Sequence, residues 1–263
     1  MHARSVPRTR RAVLCFALTL GALTGVATQA QDQDPAATGD ALARSILQKA
    51  DEIRFPTQGF EVLIRVKSVE SGGTPEVRDL KVWSKGNENT IVQTLSPAAE
   101  RGQILLMKSR DLWLFVPNVS QPVRLSLAQR MTGVVSNGDI ARANFGGDYS
   151  PKLLGTEKIG DDIYSVLDLV AVDRGVTYPR VKYWVRQSTG APFRAEFYSL
   201  SDRLLKTCTY ENYRVLGGRV RPTRLVMTDA VKTDTTSVLD YDAMKMVDLP
   251  DKIFTKEYLK KVQ

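Results

Sequence analysis

Glu157, Asp168, Glu196 and Glu211 are acidic residues spread across candidate strands. Two carboxyl groups held face to face, one protonated and one ionised, can hydrolyse a bond with no other residue type involved. The spacing sets no two of these four side by side. Carboxylates on strands ordinarily face water, and the sequence favours that reading over an acid–base pair. Cys208, within LLKTCTYENY, shares a parity with Leu204 and Tyr210. A thiol among apolar strand neighbours is a small buried hydrophobe rather than a nucleophile. Serine and lysine are too numerous for any one dyad to stand out.

The single histidine is His2. It precedes a basic run (Arg4, Arg8, Arg10, Arg11), an apolar run AVLCFALTLGALTGVA, and the small residues Thr28 and Ala30. That order is the pattern of a secretory signal peptide over residues 1–30, cut after Ala30. The apolar run is shorter than the roughly 20 residues a membrane span requires. Leu14 precedes Cys15 where a lipoprotein signal needs a small residue. The mature chain is then Gln31–Gln263, with no histidine and Cys208 as its one cysteine, and loss of the four arginines lowers the formal charge from +8 to +4. Ser-His-Asp and Cys-His units and histidine metal ligands are excluded with the histidine. No GxxxxGK[ST] or GxGxxG loop is present, no acidic run has EF-hand spacing, and Asp161-Asp162 reads as a turn. The expectation is no catalytic site, no cofactor and no metal. A charge of +4 suits an anionic membrane surface and is too small to argue nucleic acid.

The elements that must position any site read as follows. Residues 31–39 form a polar tether. Asp40 caps a helix to about Ile53, with Leu42, Ile46, Leu47, Ala50 and Ile53 near one stripe. From Phe60 the period becomes two: Phe60, Val62, Ile64 and Val66 alternate with polar residues. Further strands are expected at Val77–Ser84, Asn89–Thr94, in the segment ILLMKSRDLWLFV (104–116) and at Val123–Leu127. The pattern fails between Ser126 and Leu154, where Asn137 caps a short helix through Ile140 and Phe145. Strands then follow at Ile163–Val170, Arg180–Gln187, Phe193–Ser199, Leu204–Val215, Thr223–Val231 and Thr236–Met246, divided by close turns, with a last helix at Lys256–Val262. This is one α+β domain, a long antiparallel sheet with a few helices set on it.

What stands out is apolar content beyond one face. In the 104–116 hairpin, Leu105, Met107, Trp113 and Phe115 share one parity, and Ile104, Leu106, Leu112 and Leu114 the other. A sheet with one buried side needs apolar residues at alternate positions only. Either protein covers both sides or one side is a cavity for an apolar ligand. Such a cavity needs no charged catalytic group: an acyl chain of ten methylenes gains roughly 8 kcal/mol on burial.

The ordered segments RDLWLFVPNVSQPVRLSL, SNGDIARANFGGDYSPKLLG, YPRVKYWVRQSTGAPFRAEFYSLSDRLLKT, RPTRLVMTD and FTKEYLKK resemble the outer-membrane lipoprotein-sorting-like family of the LolA-like superfamily. The resemblance spans residues 40–263. It implies an unclosed half β-barrel whose curved antiparallel sheet has helices over its concave face, and a periplasmic location. It implies a carrier or chaperone for lipid, lipoprotein acyl chains or another apolar ligand, in transient contact with membranes, and it transfers no catalytic residue. The alternative reading is an envelope interaction protein, accessory to an RND-type exporter, that docks protein through its apolar face. The cavity lining is expected from Leu80, Val82, Leu105, Met107, Trp113 and Phe115, and a lid from Ile140, Phe145 and Tyr149.

Overall fold

The computed structural model describes residues 35–262 apart from Ser71, Ala143 and Thr233. The signal peptide expected at 1–30, and residues 31–34 of the tether, lie outside the described residues. Helix α1 (Pro35–Arg54) begins earlier than the Asp40 cap, so the remainder of the expected tether is its first turn. Proline is suited to that first position because its missing N–H would have no helical partner there.

Thirteen strands form one sheet. In chain order these are β1 (Phe60–Val69), β2 (Glu76–Lys85), β3 (Asn89–Ser96), β4 (Ile104–Lys108), β5 (Asp111–Phe115) and β6 (Val123–Leu125). After an insert come β9 (Tyr149–Ile159), β10 (Asp162–Ala171), β11 (Arg180–Arg186), β12 (Pro192–Tyr198), β13 (Leu204–Leu216), β14 (Arg219–Asp229) and β15 (Thr236–Met246). The insert holds a two-stranded ribbon, β7 (Arg130–Thr132) with β8 (Val135–Ser136), and two short helices, α2 (Asn137–Ala141) and α3 (Phe145–Asp148). Helix α4 (Lys256–Val262) closes the chain at the bounds the sequence gives. Spatial order runs from β6 back to β1, then β15 back to β9, so the first and last strands adjoin in mid-sheet. The free edges β6 and β9 come from mid-chain, and residues 126–148 join them. The result is the curved, unclosed antiparallel sheet of the expected α+β fold.

The two faces of the sheet differ for reasons visible in its register. Phe60, Val62, Ile64 and Val66 of β1 point inward and are buried. Outward, Arg224 stands opposite Asp240, Asp240 opposite Arg65, and Arg65 opposite Asp79, giving an alternating charge ladder across four strands. Arg65 Nε donates to Asp79 at 2.7 Å and Arg224 Nε to Asp240 at 2.8 Å. Exposed pairs of this kind add little stability; they keep this region of the outer face wet and oppose a register slip.

The hairpin at 104–116 does not place its residues as number parity suggests. Its two-residue turn, with Ser109 in the left-handed region at φ 55°, sets Leu105 opposite Leu114 and Met107 opposite Leu112 on the inner face. Ile104 stands opposite Phe115 and Leu106 opposite Trp113 on the outer face. The chain's own end covers that outer face. Leu249, Phe254 and Leu259 pack on Ile91, Ile104, Leu106 and Phe115, and Lys256 Nζ lies 4.0 Å from the Trp113 ring centre. Lys85 Nζ donates to Leu249 O at 2.9 Å and fixes the tail in place.

Helix α1 lies on the inner face. Ala43, Leu47 and Ala50 are fully buried, while Leu42, expected in the stripe, is half exposed at 52%. Arg221 of β14 caps the helix's far end, donating to the Glu52 and Ile53 carbonyls at 2.7 and 3.0 Å. These are carbonyls that a helix terminus leaves without partners.

Candidate functional site

The inner wall of the half-barrel is apolar. Leu80, Val82, Leu105 and Met107 belong to one buried cluster with Val62, Val66, Leu225 and Leu239. Ile140, Phe145 and Tyr149 join the same cluster from the other side: Ile140 and Phe145 on the insert, Tyr149 as the first residue of β9. Trp113 and Phe115 do not. They lie on the outer face under the C-terminal tail, because the tight turn reverses parity between β4 and β5. The doubly apolar hairpin is explained without a ligand, since one face is inner wall and the other is covered by residues 247–259.

The inner wall is covered by the protein itself. Residues 126–148 cross the concavity and place Leu127, Val134, Val135, Ile140 and Phe145 against it. At the Arg54 end a gap of about 20 Å³ remains between them and the wall, bordered by Arg54, Arg142, Phe145, Tyr149, Tyr178 and Tyr210. That is room for about one water molecule. A wider opening of about 220 Å³ lies between the cover and the wall, lined by Gln129, Met131 and Asn137 opposite Leu105, Leu114 and Leu125, and two larger ones are present. One of about 840 Å³ is lined by Glu52, Phe55, Pro56, Arg219, Arg221 and Met246, and another of about 970 Å³ includes Leu63, Leu95, Arg101, Tyr213, Arg214 and Tyr241. Both mix charged and apolar groups.

Polar contacts fasten this cover. Asp139 of α2 accepts from Lys206 Nζ of β13 at 2.5 Å, from the Tyr178 hydroxyl at 3.0 Å and from the Ser136 backbone N–H at 2.7 Å. Ser136, rather than the expected Asn137, therefore caps α2, with Asp139 closing a capping box. Lys206 also donates to Val134 O at 2.9 Å, and Val134 N–H donates to Ser237 Oγ of β15 at 3.0 Å. Arg142 forks onto Asp148 at 2.5 and 2.7 Å and reaches Ser109 O at the β4–β5 turn at 2.6 Å. On the other flank, Asp51 of α1 accepts from the Gly146 N–H at 2.6 Å. The β7–β8 turn fits closely: at Gly133, with φ 50°, an added Cβ would stand 2.3 Å from Ser68 Oγ and 2.5 Å from Ser237 Oγ.

Burial governs the titrating groups here. Removal from water pushes the Asp51 carboxyl up to about 6, against the opposing pull of Arg54 and the Gly146 N–H. Burial likewise pushes the Cys208 thiol up to about 12, leaving it no thiolate for attack at neutral pH. The four carboxylates open to catalysis are each engaged separately. Glu157 accepts from Trp184 Nε1 at 2.7 Å and Asp168 from Arg180 at 2.6 Å. Glu196 accepts from the Tyr198 hydroxyl and Glu211 from Thr209 Oγ1, both at 2.6 Å. None of these contacts joins two of the four.

Sequence reasoning missed the buried ions Asp51, Arg54, Asp139 and Lys206. A signal existed: Lys206 shares the inward parity of Cys208 and Tyr210, and Arg54 continues the buried spacing of Ala43, Leu47 and Ala50.

A family model described as "Uncharacterized protein" matches residues 86–261. No curated protein matches the chain. Among solved structures, a LolA superfamily protein from Nitrosomonas europaea is 57% identical, with 82% of this chain and 98% of that one covered at a TM-score of 0.79. A DUF1329 family protein from Desulfovibrio piger is 24% identical over 86% of this chain and 100% of its own, at a TM-score of 0.73. An outer membrane lipoprotein-sorting protein domain from Vibrio parahaemolyticus is 19% identical over 84% and 99%, at a TM-score of 0.69. The last two show likeness of fold. Among the described residues, no helix is long and apolar enough to cross a membrane.

Proposed function

This chain belongs to the LolA superfamily, and on that premise we propose that it is a periplasmic carrier or chaperone for lipid, lipoprotein acyl chains or another apolar ligand. The ligand lies against the inner wall of the half-barrel after residues 126–148 lift away. The observation that carries this reading is the way an apolar wall is covered: by a segment that adds hydrogen bonds and ion pairs to a handful of apolar contacts. An intramolecular hydrogen bond exchanges for one to water at a net cost of only about 1 kcal/mol. The Arg142–Asp148 pair lies wholly within the segment and is not broken when it lifts. Apolar surface uncovered by the lid is re-covered by the guest, whose ten methylenes would supply roughly 8 kcal/mol before association costs. Leu80, Val82, Leu105 and Met107 form the guest's wall in this proposal, and Ile140 and Phe145 travel with the lid.

The test is the cargo itself. Protein purified from its native envelope fraction and denatured releases an acyl species at a constant molar ratio, read by mass spectrometry. The emptied protein then takes up a fluorescent fatty acid that the released species displaces. Protein that carries nothing and takes up no probe removes the carrier reading and leaves the alternative of an envelope protein that docks protein partners, an RND-type exporter among them.

A further inference from the structure

We propose that Arg54 is the anchor for an anionic headgroup, so that the guest of the half-barrel is an acyl chain carrying a carboxylate or a phosphate. The proposal rests on the carrier reading and narrows its ligand class. Arg54 ends helix α1 inside the concavity and is 7% exposed. Its Nη1 donates to Asp51 at 3.2 Å, while its Nε is buried without any hydrogen-bond partner. The Tyr183 hydroxyl is also buried and unpartnered, and Tyr183 adjoins the same aromatic group. Its ring meets Phe145 edge-on at 5.4 Å and Tyr210 at 6.0 Å. The Arg54 guanidinium lies over Phe145 at 4.1 Å and over Tyr210 at 5.8 Å.

Phe145 belongs to the lid, and this is the decisive point. In the closed form an aromatic ring shields the guanidinium by a cation–π contact, which adds to the single Asp51 pairing and offsets the unpartnered Nε in an apolar space. Lifting the lid withdraws that ring. It also withdraws the Gly146 N–H, which holds Asp51 at 2.6 Å. The arginine then meets the guest with an unused donor, with the Tyr183 hydroxyl a second unused donor in the same aromatic group, and a carboxylate or phosphate oxygen is the acceptor a guanidinium pairs with most strongly. A neutral chain of equal length offers only uncharged acceptors, whose hydrogen bonds to a guanidinium are weaker than those of a carboxylate or phosphate oxygen.

The experiment compares three twelve-carbon probes in displacement of a fluorescent fatty acid at neutral pH: laurate, lauroyl lysophosphatidic acid and the uncharged monolaurin. At least one anion is expected to bind about tenfold or more tightly than monolaurin, on the scale of one charge-assisted hydrogen bond. Preference for laurate over the lysophosphatidate identifies a carboxylate guest, and the reverse a phosphate. Arg54→Met should erase the preference, read as the ratio of anion to monolaurin affinity in the same variant, and Arg54→Lys, which keeps the charge and loses the fork, should retain part of it. Equal binding of all three probes by the wild type, or an undiminished anion preference in folded Arg54→Met, overturns the anchor and leaves the carrier intact. The wild-type comparison decides without any variant. Binding of none of the three overturns the carrier reading, and the anchor with it.

Discussion

Asp51 shows how far a single residue can be driven by its surroundings. Burial holds its carboxyl near 6 in the folded chain against an ordinary value of 3.8. A folded-state value raised in this way gives stability that is present below about pH 4 and lost as pH rises through 6. The loss is about 3 kcal/mol for a shift of this size. Asp51→Asn removes the titration, so urea unfolding at pH 4 and pH 7 should show a pH-dependent loss smaller in the variant by most of that amount, about 2 kcal/mol. Equal slopes in the two proteins would contradict the assignment. At this scale the sequence was only partly legible. Cys208 reads correctly as a buried hydrophobe from its neighbours. Asp51 lies at the edge of the buried stripe, four residues after Leu47, but its charge argues for water and hides that placement. Its burial follows from contact with Gly146, 95 residues away.

Among the elements, the lid depends on one close fit. Gly133 supplies both a positive φ and the absence of a Cβ that would strike two serine hydroxyls. Gly133→Ala should therefore unseat the β7–β8 turn at a cost of more than about 1 kcal/mol while the thirteen-stranded sheet persists. The expected signature is faster amide exchange at Val134 and Val135 and faster proteolysis within residues 126–148, with unchanged far-ultraviolet circular dichroism. Protection equal to wild type would show that the lid does not rely on this seat. Most strands were legible because half-buried strands alternate, and α4 because it combines a clear start with a helical run. Strand β9 was not. Pro151 and Gly155 break its pattern, and an edge strand tolerates both because one of its sides has no partner to satisfy. The hairpin's faces were misread because parity was carried through a turn that inverts it.

For the molecule as a whole, the C-terminal tail is a structural requirement distinct from the ligand site. Phe254 fills the outer cluster over β3, β4 and β5 and is 1% exposed. Phe254→Ala should cost about 3–5 kcal/mol, measured by chemical denaturation, with fatty-acid uptake unaltered at temperatures where the variant stays folded. Reduced uptake by a fully folded variant would show that the outer cluster and the inner wall are coupled. The strand order of the sheet has a consequence of its own. Because β1 and β15 adjoin, the two rims of the arc belong to β6 and β9, and residues 126–148 are tied to both. The segment is strung across the arc as a bowstring is across a bow. A guest that spreads the rims pulls on it, and slackening it allows the arc to flex, so curvature and occupancy become a single mechanical coordinate carried by one continuous backbone.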